Sequence, residues 1–199
     1  RRLDDNFLDP KAFNKDSVIG VPGLFKCWLK KNVGIINAVG TGVADDKVVY
    51  SYVNKMIVYY LGEQPALNQV ETYLCHDKIQ RDYVLENMSK LVVKPANASG
   101  GYGIMIGPKA STKEREEVAQ KIKKNPREYI AQPLETLSTA PTITEKNIEP
   151  RHLDLRPFVL SGKTSYVTTG GLTRVALRKG STIVNSSQGG GSKDTLIVE

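Results

Sequence analysis

The sequence predicts a mixed α/β fold whose second half is dominated by antiparallel strands. Three observations carry that reading. Apolar residues recur at helical spacing over about 46–61, 80–90 and 111–124. β-Branched runs occupy 91–95, 103–107 and most of the chain after 128. Glycine-rich polar segments, Ser99–Gly103 and Asn185–Asp194, interrupt those runs.

Taken in order, residues 1–45 read as irregular with short strands. Asp9-Pro10 and Gly20-Val-Pro-Gly23 are turn signals, and Lys31–Asn37 reads as a buried strand. Asp45-Asp46 offers capping carboxylates to an amphipathic helix over 46–61, stopped by Gly62. Its Tyr50, Val53, Ile57, Tyr60 and Leu61 form an apolar stripe expected to face inward. Glu63–Asp77 connects to a short helix, Gln80–Lys90, and then to strands 91–95 and 103–107 around the glycine loop. Ser111-Thr-Lys-Glu114 has the capping-box spacing and opens a helix to about Lys124, which Asn125-Pro126 ends. Strands follow at Glu128–Leu134, Leu153–Leu160, Ser165–Leu177, Ser181–Asn185 and Leu196–Val198, with Thr136–Pro150 as a polar loop.

Length and composition bound the function. A chain of 199 residues can bury a core as one domain or two small ones. The net charge of +7 is scattered, and the Lys121–Lys124 cluster shares its helix with Glu114, Glu116 and Glu117. That mixture reads as a solvated face, and the chain lacks the aromatic–basic pattern of a nucleic-acid binder. A basic protein also suits a small anionic ligand. Cys27 and Cys75 have neither CxxC spacing nor a histidine cluster, which argues against a disulfide framework or zinc site and for a reducing cytoplasm. No apolar run approaches the roughly 20 residues of a membrane span. The chain opens on Arg1, and the expectation is a fragment of a longer protein.

Four segments carry candidate chemistry. In Leu91–Gly107 an apolar run ends at Lys94, and Ser99-Gly-Gly-Tyr-Gly103 comes next. Glycines permit close approach to the backbone, and successive N–H groups can make an anion-binding concavity beside the point charge of Lys94. A β-hairpin with a glycine-rich turn is the competing reading. Asn185–Asp194 surrounds three glycines with Asn, Gln, Lys and Asp, which reads as a functional loop or a flexible connector. Arg151–Arg156 alternates, so a strand would put His152, Asp154 and Arg156 on one face; a solvated sheet face fits equally, and His152 has no nucleophile to serve. Asp4 and Asp5, with Asn37, are hard oxygen donors of the kind Mg²⁺ takes.

These segments together resemble the ATP-grasp superfamily, specifically the circularly permuted ATP-grasp proteins of type 2, which are related to the glutathionylspermidine synthetases. The resemblance covers nearly the whole chain and rests on Lys94–Gly103, Pro150–Val159, and Gly170–Arg174 through Asn185–Thr195. It implies a circularly permuted α+β fold of two α/β subdomains whose largely antiparallel sheets clasp a nucleotide. The expected division is 1–90 as metal-ligand segment and helices, 91–131 as glycine-loop subdomain, and 132–199 as hinge and antiparallel core strands. The resemblance implies that Lys47 and Lys94 reach ATP phosphates, and that Ser99, Gly100, Gly101, Tyr102 and Gly103 cover them. Gln132 and the backbone near Leu134 would hold adenine, and Asp154 and Arg156 would line the cleft. Arg174 and Asn185 would face the transferred phosphate, with Asp4, Asp5 and Asn37 at the metal. Ile35-Ile-Asn37 stands where the family has Glu-x-Asn, so one ligand of the usual pair is replaced by Ile35.

The activity this implies is an ATP- and Mg²⁺-dependent ligase that joins a small-molecule or peptide carboxylate to an amine through an acyl phosphate. Phosphoryl transfer needs positioning and charge neutralisation rather than a protein nucleophile. The competing readings are a catalytically impaired ATP-binding module, which Ile35 favours, and a kinase-like transfer to a hydroxyl.

Overall fold

The chain opens on short helices, not on strands. The computed structural model describes residues 3–98, 101–145, 147–182, 184 and 189–195. Asp4 caps α1 (Asp5–Leu8), its side chain accepting from Asn6 N at 3.0 Å. Asp9 is buried and gathers the next two turns of chain around itself. Its carboxylate accepts from the backbone N–H groups of Lys11, Gly23 and Phe25 at 2.8, 3.0 and 2.9 Å. The last of these lies in α2 (Leu24–Leu29), where Phe25 packs edge-on against Phe13 and stacks with Trp28. The strand expected at Lys31–Asn37 is absent. Lys31 and Asn37 both have positive φ, which breaks an extended run at each end, and Ile36 is 83% exposed.

The helix expected over 46–61 is divided. A 3₁₀ turn, Thr41–Asp45, precedes α3 (Lys47–Tyr50) and α4 (Val53–Leu61). The break is local, because the N–H groups of Ser51 and Tyr52 bond three residues back, to Val48 and Val49, and tighten the chain. Asp46 is the cap, accepting from Val48 N at 2.8 Å, and Gly62 ends α4 in the left-handed conformation. The expected inward stripe faces outward instead: α4 has no buried residue, and Tyr60 is 74% exposed.

By its internal packing the chain forms two units, Arg1–Pro133 and Leu134–Glu199. The first holds an antiparallel sheet in the order β1 (Tyr73–Leu74), β4 (Tyr129–Pro133), β2 (Leu91–Pro95), β3 (Met105–Ile106). One face packs under α5 (Lys78–Asn87) and α6 (Thr112–Lys124): Val84, Met88 and Ile122 meet Cys75, Leu91, Val93, Met105 and Ala131. The opposite face carries Leu74, Ile130 and Ala96 against Val48 of α3. Both halves of the capping box form at α6, with Ser111 and Glu114 each satisfying the other's backbone N–H.

The second unit is one antiparallel sheet, β5 (Thr139–Ile143), β6 (Ile148–Ser161), β7 (Ser165–Ala176) and β8 (Gly190–Lys193), in that order. Two expectations change. Most of the loop expected at Thr136–Pro150 is β5 and the start of β6, a polar edge strand that carries Pro141 where an edge tolerates it. Within the expected loop Asn185–Asp194, Gly190–Lys193 is a strand paired with β7, since glycine's missing side chain does not prevent ladder bonding. Ser181, Thr182 and Val184 carry no strand, and the strand expected at Leu196–Val198 lies outside the described residues.

Candidate functional site

Sheet alternation in the first unit places Lys94 on the face away from α5 and α6. Gln132 stands opposite Val92 and Ile130 opposite Lys94, so Lys94 and Gln132 share that face diagonally. Lys94 Nζ donates to Gln132 Oε1 at 2.6 Å, its single hydrogen bond among the described residues. Burial, and behind it the charge of Lys47, hold the Lys94 ammonium below the ordinary lysine range. An ammonium has three donors, so two have no acceptor among the described residues.

Lys47 differs. It follows the Asp46 cap of α3, and its Nζ donates to Pro95 O, Ala96 O and Ala98 O at 3.0, 3.3 and 2.7 Å. Its own N–H adds a bond to Ala96 O at 3.1 Å. All three ammonium donors therefore hold the backbone that leads into the glycine loop. Burial lowers the Lys47 pKa, with Asp46 and Asp45 pulling the other way. Asp46 works against its own burial: Arg127, 2.6 Å away, and the Val48 N–H keep its carboxylate below the usual range.

Of the loop, Ser99 and Gly100 lie outside the described residues. Gly101 and Gly103 both take positive φ, and a Cβ on Gly103 would sit 2.9 Å from Pro95 Cγ. The loop therefore folds back on the residue that follows Lys94, and only glycine fits there. Tyr102 is exposed at its tip.

The three candidate metal ligands come together. Asp4, Asp5 and Asn37 line one cleft of about 620 Å³, joined by Asp45, Asn97 and Ala98. Asp5 Oδ2 accepts from Gly40 N at 2.8 Å, which draws the segment after Asn37 against α1. Ala98, whose carbonyl takes the Lys47 ammonium, is in the same wall, so the cleft adjoins the base of the glycine loop. Among the described residues no group of three or more His, Cys, Asp or Glu side chains could hold a metal. The donor set nevertheless fits magnesium, which takes one or two carboxylates and completes its shell with water and phosphate oxygens.

In the second unit the polar face of β6 forms an ion-pair cluster. Asp154 pairs with Arg174 across the ladder, and the guanidinium takes both carboxylate oxygens, Nε at 2.9 Å from Oδ1 and Nη2 on Oδ2. Arg156 Nε is 3.8 Å from the same carboxylate. The Arg174 hydrogen bonds hold Asp154 below the usual carboxylate range, and Asp154 in turn raises Arg174. Arg174 is thus a fixed, permanently charged fork. His152 donates from Nδ1 to Leu137 O at 2.8 Å and plays a structural part. Leu134 is partly exposed just after β4, and Asn185 lies outside the described residues.

Two residues of these clusters are not singled out by sequence. Thr72 bonds the Gln132 amide, and Asn97 lines the acidic cleft. Thr72 precedes a strand of two residues, too short to show a period; Asn97 lies within the motif 94–103 and is readable there.

Comparison with known proteins gives this geometry a setting. The family described as circularly permuted ATP-grasp type 2 matches residues 1–176. An uncharacterized protein of Synechocystis sp. is 56% identical over 200 residues, covering 100% of this chain and 42% of that protein. An uncharacterized protein of Mycobacterium tuberculosis is 53% identical, covering 100% of this chain and 36% of its own length. A Frankia casuarinae protein named "putative glutamate–cysteine ligase 2-2" is 49% identical over 99% of this chain and 23% of itself. The chain spans less than half the length of each of these relatives.

Proposed function

Because the chain belongs to the circularly permuted ATP-grasp type 2 family, we propose that it carries the nucleotide-handling residues of an ATP-dependent ligase that joins a carboxylate to an amine. One observation supports this above the others. The Lys94 ammonium is anchored through one donor, has no second hydrogen bond among the described residues, and precedes a loop whose glycines Gly101 and Gly103 are left-handed. That combination, a held point charge next to a glycine loop, suits phosphate oxygens. The name of the Frankia relative adds the class of reaction, glutamate–cysteine ligation being an amide synthesis.

In this reading Lys94 and the loop 99–103 bind and orient the triphosphate, and Lys47 holds the loop's base. Peptide groups of the 132–134 segment hold adenine. Asp4, Asp5 and Asn37 would hold magnesium, which when bound neutralises phosphate charge. Asp154 keeps the permanently charged Arg174 in one orientation, the state in which a cation neutralises a phosphate undergoing transfer; Arg156 and Asn185 are assigned to the same task. A carboxylate oxygen of the substrate attacks the γ-phosphorus, the bond to the β-phosphate oxygen breaks, and ADP leaves an acyl phosphate. The amine nitrogen then attacks the acyl carbon, phosphate departs, and the amine loses a proton. Small-molecule or peptide substrates fit this chemistry.

Isothermal titration of the protein with Mg-ATP tests the reading. Binding is expected, weakened about tenfold or more by Lys94→Met, as for loss of a charged hydrogen bond to phosphate. No heat with the unsubstituted protein would sink the proposal. Ile35 supports a second reading, an ATP-binding module without turnover. ATP binding without ADP release across a panel of acids and amines would favour it.

A further inference from the structure

Lys94 is held by a chain of hydrogen bonds that runs from β2 across β4 to the segment just before β1. Lys94 Nζ donates to Gln132 Oε1 at 2.6 Å, Gln132 Nε2 donates to Thr72 Oγ1 at 2.8 Å, and Thr72 Oγ1 donates to Val70 O at 3.0 Å. Each direction is forced. An ammonium only donates, so the amide must present its oxygen to Lys94 and its nitrogen to Thr72. The Thr72 hydroxyl can accept that N–H because its own proton goes to a carbonyl, which only accepts. The register supports the path: Tyr73 faces Ala131, so Thr72 falls opposite Gln132. Gln132 is 8% exposed, leaving the amide little water as an alternative partner.

We propose that Thr72 is a positioning residue for Lys94, acting through Gln132: its hydroxyl fixes the amide orientation that aims the ammonium. A Gln132 side chain released from Thr72 can rotate and present N–H to Lys94, turning an attraction into a repulsion between donors. The proposal rests on the nucleotide reading only for what Lys94 then meets.

Competitive acetylation over a pH series, read lysine by lysine by mass spectrometry, follows the Lys94 titration in the ligand-free protein. Thr72→Val keeps shape and removes the hydroxyl; it should move that titration to lower pH, and Thr72→Ser should restore it. Gln132→Leu should give the same direction of shift, with no further change when Thr72→Val is added. Mg-ATP affinity should fall about tenfold in Thr72→Val and recover in Thr72→Ser, the scale of one buried hydrogen bond. An unshifted Lys94 in folded Thr72→Val overturns the proposal, as does a shift that persists on the Gln132→Leu background. If Thr72→Val does not fold, an unshifted Lys94 in Gln132→Leu overturns it equally. A shifted Lys94 in a protein that gives no heat with Mg-ATP upholds the relay and removes the nucleotide reading.

Discussion

Asp9 sets the terms at the residue scale. A buried carboxylate is costly unless its oxygens are satisfied, and here three backbone N–H groups converge on it from Lys11, Gly23 and Phe25. Burial raises its pKa, but those N–H groups outweigh it and hold the folded value below 3.8. A depressed folded pKa contributes stability that is complete above the unfolded value and lost as pH falls through the folded one. Thermal melts at descending pH should therefore show Asp9→Asn already destabilised near neutrality, with its gap to the unsubstituted protein closing below 3.8. A gap that stays constant would refute this. In the sequence Asp9 is legible only as half of an Asp-Pro turn, because the three groups it gathers lie up to 16 residues away. Lys94 stands out in the sequence for the opposite reason: the motif that marks it, Lys94–Gly103, lies within ten residues. For Lys47 the family resemblance implies contact with ATP phosphates; in the structure its three donors hold the carbonyls of Pro95, Ala96 and Ala98, a tie that no local pattern displays.

Elements are legible where their cause is local. The α6 capping box depends on two side chains three residues apart, and it forms as its spacing predicts. Helix α4 is legible as a helix, yet its stripe of Val53, Ile57, Tyr60 and Leu61 says only that one side is apolar, not that anything covers it. The division of 46–61 at Ser51 and Tyr52 turns on a few i, i+3 bonds that propensity does not resolve. Short strands strain a sequence reading for want of length: β1, of two residues, is missed inside an expected connection, and β3, also of two, is overdrawn as 103–107. A contrast of two substitutions tests the element scale. Ser111→Ala should cost about 1 kcal/mol, the worth of a helix cap. Gly107→Ala should cost more, because its Cβ would lie 1.8 Å from Met88 O and 2.5 Å from Leu91 O, forcing the end of α5 from the sheet. Urea unfolding ranks the two, and an equal loss would mean that the backbone there yields freely.

At the scale of the molecule the fold class is readable, since helical periods crowd the first unit and β-branched runs fill the second. The family match across residues 1–176 agrees with the resemblance read from motifs. No described helix is long and apolar enough to cross a membrane. Strands β6 and β7 also shape how the protein must be handled. The ladder to β5 ends at His152, the ladder to β8 begins at Thr173, and between them the two strands, among the described residues, pair only with each other. That stretch presents Phe158, Val159, Leu160, Tyr166 and Val167, each more than half exposed, with no further strand paired to it among the described residues. Unpaired edges with apolar side chains template further strands. Sedimentation should show concentration-dependent self-association that Val159→Lys relieves, and a monomer at every concentration would disprove it. Arg156 and Lys163, charges at either end of the stretch, then act as gatekeepers, and solubility in this protein becomes a property of one ribbon.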